Sequence, residues 1–167
     1  LPKEIKEEIC KVAIAANKAI GINIGPSHTE IKVTEDGPKV VELGARLGGD
    51  NISTYLTQFS TGVDMVECCI NIALGLPINI ECKWDKGAAI RYFESDSGMI
   101  KSVKGLDFAN DISEVKELKM VFNIGDYARP IRSSTDRVGF VISQSKNAID
   151  AIKVCERVLE NVKIEVD

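Results

Sequence analysis

The sequence predicts an α+β fold in which antiparallel strands pack with helices, and three observations predict it. Residues 27–50 segregate apolar and polar side chains by alternation on both sides of a tight turn. Residues 3–19 space their apolar residues at helical intervals instead. Beyond Leu76, short strand-like runs bounded by turn signals give way to one long helical stretch near the C-terminus.

Taken in order, Ile5, Ile9, Val12, Ala13, Ala16 and Ile20 define the first helix, and Gly21 stops it. Strands are expected over 22–34, bent at Gly25-Pro26, and over 39–43. A short helix is expected from Asn51 to about Phe59. A second, MVECCINIALG, follows Thr61-Gly62-Val63-Asp64 and ends at Gly75, with Pro77 just beyond. Apolar residues surround that second helix, so it is expected to be buried against the apolar face of the preceding strands. AAIRYFE, MIKSVKG, VKELKMVFNIGD, VGFVISQS and KIEV then read as strands and NAIDAIKVCERVLENV as a helix, which together predict one small antiparallel sheet with one covering helix. The expected division is residues 1–82 and residues 83–167.

Composition narrows the function classes. With 167 residues, 44% of them hydrophobic and 28% charged, the chain has an ordinary globular balance. A formal net charge of −4 supplies no basic field for nucleic acid or an anionic membrane. No apolar run approaches the roughly 20 residues that span a bilayer. The N-terminal LPKEIKEEICK reads as a charged helix start without the apolar core of a signal peptide. A start at Leu1 rather than Met points to a fragment or a processed product. Five cysteines form no CxxC pair, and Cys10, Cys68, Cys69 and Cys155 fall in helical patterns. They are therefore expected as reduced core thiols in a cytoplasmic protein. There is no GxxxxGK[ST] loop, no GxGxxG after a strand and no nucleophile elbow. Trp84 and the tyrosines are too scattered to stack bases.

The informative stretch is SHTEIKVTEDGPKVVELGARLGGD, residues 27–50. A two-residue Asp36-Gly37 turn would oppose Glu30 to Leu43 and mix polar with apolar side chains on each face. A three-residue loop, Glu35-Asp36-Gly37 with Gly37 left-handed, opposes Glu30 to Glu42, Ile31 to Val41 and Thr29 to Leu43. That register segregates the faces and is the one expected. Two carboxylates opposed at roughly 5 Å destabilise a sheet unless a cation lies between them. Hard divalent cations suit such a pair, Mg²⁺ typically taking one or two carboxylates, waters and substrate phosphates. Arg46, four residues after Glu42, offers a planar fork of donors for phosphate oxygens. Gly48 and Gly49 let backbone approach a ligand closely.

Glu30, followed twelve residues on by Glu42 within VVELGARLGGD, resembles the metal-binding end of the ATP-grasp carboxylate–amine ligases. The nearest likeness is to the branch that holds carbamoyl-phosphate synthase, phosphoribosylglycinamide synthetase and biotin carboxylase. The resemblance implies the C-terminal half of an ATP-grasp fold followed by a small α+β lobe. It implies ATP and Mg²⁺ (or Mn²⁺) as cofactors, with Glu30, Glu42 and the adjoining Leu43 at the nucleotide–metal site. It also implies Arg46 stabilising an acyl phosphate. Gly48, Gly49, Asp50 and His28 are candidates for phosphate or substrate contact; for His28 the competing reading is a hydrogen-bonded strand residue. Arg91 is a candidate substrate contact or an exposed structural arginine, and Asp136-Arg137 reads as a turn cap. One position departs: many members carry asparagine two residues after the second glutamate, where this chain has Gly44, so a second metal would rely on water or backbone there.

The implied partners are a small-molecule carboxylate and a nucleophile, together with N-terminal subdomains that supply the nucleotide cradle; the chain alone is expected to turn over nothing. The competing readings are a non-catalytic binding or homodimerising module, and a carboxylase of the biotin-carboxylase type.

Overall fold

The computed structural model describes residues 1–167 and divides into two compact units, residues 1–54 with 64–80, and residues 55–63 with 81–167.

The first unit is built on helix α1 (Lys3–Ala19) and the antiparallel hairpin β1 (His28–Thr34) and β2 (Gly37–Gly44). Ile5, Ile9, Val12, Ala13 and Ala16 form the half-buried stripe of α1, as their spacing predicts, whereas Ile20, expected in the same stripe, lies past the helix end and is exposed; the helix packs chiefly on β2. Asn17 ties the two together: its Nδ2 donates to Ala13 O at 2.8 Å and to Thr29 Oγ1 at 3.1 Å. Gly21 closes the helix with a φ of +80°. The expected first strand is shorter than predicted, because residues 22–27 carry no ladder and pairing begins at His28. A short π-helical turn over Ile52–Leu56 follows the glycine-rich loop. Helix α3 (Met65–Ala73) is capped by Asp64, whose carboxylate accepts from the amides of Val66 and Glu67. The expectation that this apolar helix is buried on the hairpin is not met. Only Cys68 is buried, Ile70 and Leu74 are exposed, and the helix on the hairpin is α1.

The hairpin register corrects the sequence reading in one instructive way. The ladder closes at Thr34–Gly37, leaving Glu35-Asp36 as a two-residue loop, with Gly37 at φ +89°. Continued unchanged, this register would set Glu30 against Val41. Instead a bulge intervenes between Glu30 and Ile31: Ile31 pairs with Val40 rather than Val41, Val41 is the extra residue, and Glu30 pairs with Glu42 and Thr29 with Leu43. A one-residue slip exchanges the faces of a strand, and one bulged residue exchanges them back. The bulge therefore restores the carboxylate pair that the turn alone would have broken.

The second unit contains α2 (Thr57–Thr61), β3 (Gly87–Tyr92), β4 (Gly98–Lys104), α4 (Leu106–Asn110), β5 (Val115–Met120), β6 (Tyr127–Ala128), β7 (Gly139–Ser145), α5 (Ala148–Asn161) and β8 (Lys163–Val166). Two three-stranded antiparallel sheets form, ordered β3-β7-β5 and β6-β4-β8, rather than the single sheet expected. The central strand β7 is buried on both faces from Gly139 to Ser143, which explains its unbroken apolar run. Helix α5, capped by Asn147, turns Ala151, Cys155 and Val158 into the core against β3 and β7. The Cys155 thiol lies 3.2 Å from Ser143 Oγ, and burial pushes its pKa up. Cys68 is likewise buried, whereas Cys10 is exposed, contrary to its expected core position; all five thiols are free.

Candidate functional site

The hairpin brings the predicted acidic pair together. Glu30 and Glu42 are direct partners in the ladder, so their side chains leave the same face, about half exposed to solvent. Each carboxylate has its own counter-group. Arg46 Nη2 donates to Glu42 Oε1 at 2.5 Å, while its Nη1 donates to the carbonyl of Leu47. His28 Nε2 lies 3.5 Å from Glu30 Oε1, with the ring largely buried. His28, Glu30, Glu42 and Arg46 thus form one continuous polar cluster at the open end of the hairpin. Gly44 shapes it, since a Cβ there would stand 3.3 Å from Arg46 Cγ and Nε. The absent side chain is what lets the arginine fold back across the strand end.

The loop after Arg46 is more constrained than its sequence indicates. A Cβ on Gly48 would sit 3.0 Å from His28 Nδ1 and 3.4 Å from Ile52, so little room is left for a side chain between the loop and the histidine ring. At Gly49 a Cβ meets nothing, and close packing within the chain does not require glycine there. Asp50 and Asn51 adopt left-handed φ values of 49° and 62° in succession. Asx residues tolerate this region best, yet two together store strain of the kind that collects at functional sites. The loop is fastened by Gly48 N donating to Ser53 Oγ at 2.9 Å and by Ile52 N donating to Gly49 O at 2.9 Å. Ser53 is buried, and it is the one site-forming residue that the sequence reading passed over. The signal available was Asp50-Asn51 directly after Gly48-Gly49, a run that favours a left-handed reversal.

Leu43, paired with Thr29 and half-buried, has a side chain suited to apolar contact. Arg91 belongs to the second unit. It sits in β3, donates from Nη1 to Ile90 O, and lies 3.6 Å from Glu156 of α5. Together with Lys163, Phe93 and Leu159 it borders a groove of about 740 Å³. Asp136 does cap a turn, accepting from the amides of Arg132 and Ser133, which hold its carboxyl below the usual carboxylate range. Arg137 stacks on Tyr92 with its guanidinium carbon 3.9 Å from the ring centroid.

The donor set suits a hard divalent cation. No group of three or more His, Cys, Asp or Glu side chains capable of holding a metal occurs in the chain. Two opposed carboxylates equal the usual protein share of a Mg²⁺ shell, the rest of which water and substrate phosphates supply. Softer metals, which favour thiolate and clustered imidazole, find no such ligands. No helix is long and apolar enough to cross a membrane.

Comparison with known proteins finds relatives in both sequence and fold. Residues 91–167 match the family described as L-amino acid ligase C-terminal domain 2. An uncharacterized protein designated y4rH from Sinorhizobium fredii is 28% identical over 97% of this chain and 34% of its own length. A phosphoribosylamine–glycine ligase from Methanococcus maripaludis is 25% identical over 99% of this chain and 39% of its own. The crystal structure of L-amino acid ligase from Bacillus licheniformis superposes with a TM-score of 0.85 at 24% identity, covering 100% of this chain and 42% of that one. The chain thus spans between a third and two fifths of the length of these curated relatives. In sequence and in fold, the chain is similar to the C-terminal regions of ATP-grasp proteins.

Proposed function

We propose that this chain supplies the metal- and phosphate-binding end of an ATP-dependent carboxylate–amine ligase that works through an acyl phosphate. The observation that carries the reading is the direct opposition of Glu30 and Glu42, restored by a bulge and flanked by Arg46. Glu30 and Glu42 would hold Mg²⁺, which when bound supplies neutralisation of the phosphate charge. Arg46 stands next to that pair with a fork suited to two phosphate oxygens, so it can follow charge as it develops on the transferred group. The Gly48–Asn51 loop lines the same cluster and confines where substrate can lie. Phosphoryl transfer asks of the protein mainly position and electrostatics, which is what a rigid hairpin and a fastened loop contribute. The adenine slot and phosphate lysines fall to segments outside this chain, consistent with its covering 34% and 39% of its relatives.

The test is ligation itself. In the complete protein, Glu30→Gln and Glu42→Gln should each abolish formation of ADP that depends on the acid and amine substrates, while circular dichroism and thermal unfolding show an intact fold. Unchanged turnover in both variants would leave the hairpin as a binding module only.

A further inference from the structure

We propose that Ser53 is a positioning residue for the Glu30 carboxylate, acting through Gly48 and His28. The inference rests on the reading of Glu30 as a metal ligand and deepens it.

The chain of contacts is continuous. Ser53 is 6% exposed, and its Oγ accepts the Gly48 amide at 2.9 Å. Gly48 in turn lies beside His28, where a Cβ added to it would stand 3.0 Å from Nδ1. The ring's Nε2 lies 3.5 Å from Glu30 Oε1. On the far side of Gly48, Asp50 and Asn51 are both left-handed, a conformation that costs free energy and relaxes unless its surroundings hold it. The ties of the segment include Gly48 N on Ser53 and Ile52 N on Gly49 O, and of these two the first depends on a side chain. Without the Ser53 hydroxyl the loop loses a tie that holds Gly48 beside the histidine, and the ring gains freedom to shift away from the carboxylate. Groups that orient metal ligands in this indirect way change metal affinity or activity by about 10- to 100-fold when removed.

The experiment uses the complete protein and Mn²⁺ as the probe, titrated directly by electron paramagnetic resonance in the presence of ADP. Ser53→Ala should weaken Mn²⁺ binding about tenfold, raising KM for the metal more than it lowers kcat, and Ser53→Thr should recover most of the loss because it keeps the hydroxyl. Gly48→Ala is the second variant. It leaves Ser53 in place but pushes on His28, and it should weaken Mn²⁺ binding in the same sense even if Ser53→Ala folds poorly. Unaltered Mn²⁺ affinity in folded Ser53→Ala or in Gly48→Ala overturns the proposal. Glu30→Gln separates the two layers of the argument. If it removes Mn²⁺ binding while Ser53→Ala does not, the relay fails and the metal site stands; if it leaves binding unchanged, the metal-site reading itself fails.

Discussion

Glu30→Gln should leave the fold more stable even as it removes function. Opposed carboxylates on an antiparallel ladder stand roughly 5 Å apart at Cβ. Two full charges at that distance repel by about 0.8 kcal/mol in water. The side chains of Glu30 and Glu42 are about half exposed, so the aqueous limit is the relevant one. Glu42 already has Arg46 at 2.5 Å, an exposed pair worth about 0.2–1 kcal/mol. Glu30 has only His28, at 3.5 Å, a longer contact than the one Arg46 makes with Glu42. Removing the Glu30 charge therefore removes repulsion and little attraction, a gain of about 0.5 kcal/mol in the metal-free protein. Removing the Glu42 charge gives up the arginine contact as well, and the two effects nearly cancel. Thermal unfolding without divalent cations should place Glu30→Gln about 1–2 °C above the parent and Glu42→Gln within error of it. In 1 M NaCl the difference should vanish, because screening acts over about 3 Å there. A Glu30→Gln variant destabilised by more than about 1 kcal/mol, insensitive to salt, would show that the carboxylate holds the hairpin together and refute the reasoning.

Further outcomes follow from the second unit and the loop chemistry. A Cβ on Gly87 would lie 1.9 Å from the Asn147 carbonyl carbon, in backbone that cannot yield, so Gly87→Ala should displace the start of α5 and lower the melting temperature sharply. Ile142 is fully buried on the central strand, and Ile142→Ala should cost about 2–5 kcal/mol by urea denaturation; a loss under 1 kcal/mol would contradict the assigned core. Glu165 receives Lys104 Nζ and Ser102 Oγ, both at 2.6 Å, which hold its carboxyl below the usual range. Its native pKa is depressed, so the unfolded chain binds more protons, and the contribution is present above pH about 4–5 and lost as pH falls through the lowered native value. Glu165→Gln should flatten the acid limb of the stability curve, and an unchanged limb would count against that contact.

Legibility in the sequence followed the range of the interaction that fixes each feature. The α1 stripe of Ile5, Ile9, Val12 and Ala16 and the stop at Gly21 are local and could be read directly. The opposition of Glu30 to Glu42 was readable from the segregation of faces, whereas the bulge at Val41 and the shifted register of Ile31–Thr34 were not, because loop length and face preference each vote on register separately. Helix α3 was expected in the core because apolar residues ring it, but ringed hydrophobicity says only that something covers a helix, not what. Ser53 escaped notice because a buried serine has no periodic signature and its partner is a backbone amide. The second sheet and the Arg91–Glu156 pairing depend on tertiary packing between segments far apart in the chain.

The central claim is that one divalent cation is shared by the two glutamates of a single hairpin. Its most direct measurement is the Mn²⁺ affinity of the complete protein, with nucleotide present, across Glu30→Gln, Glu42→Gln and the double variant. Each single change should weaken binding by about tenfold or more, with the double variant losing less than the product of the two because both act on the same ion. Parent-like affinity in either single variant would contradict a shared site.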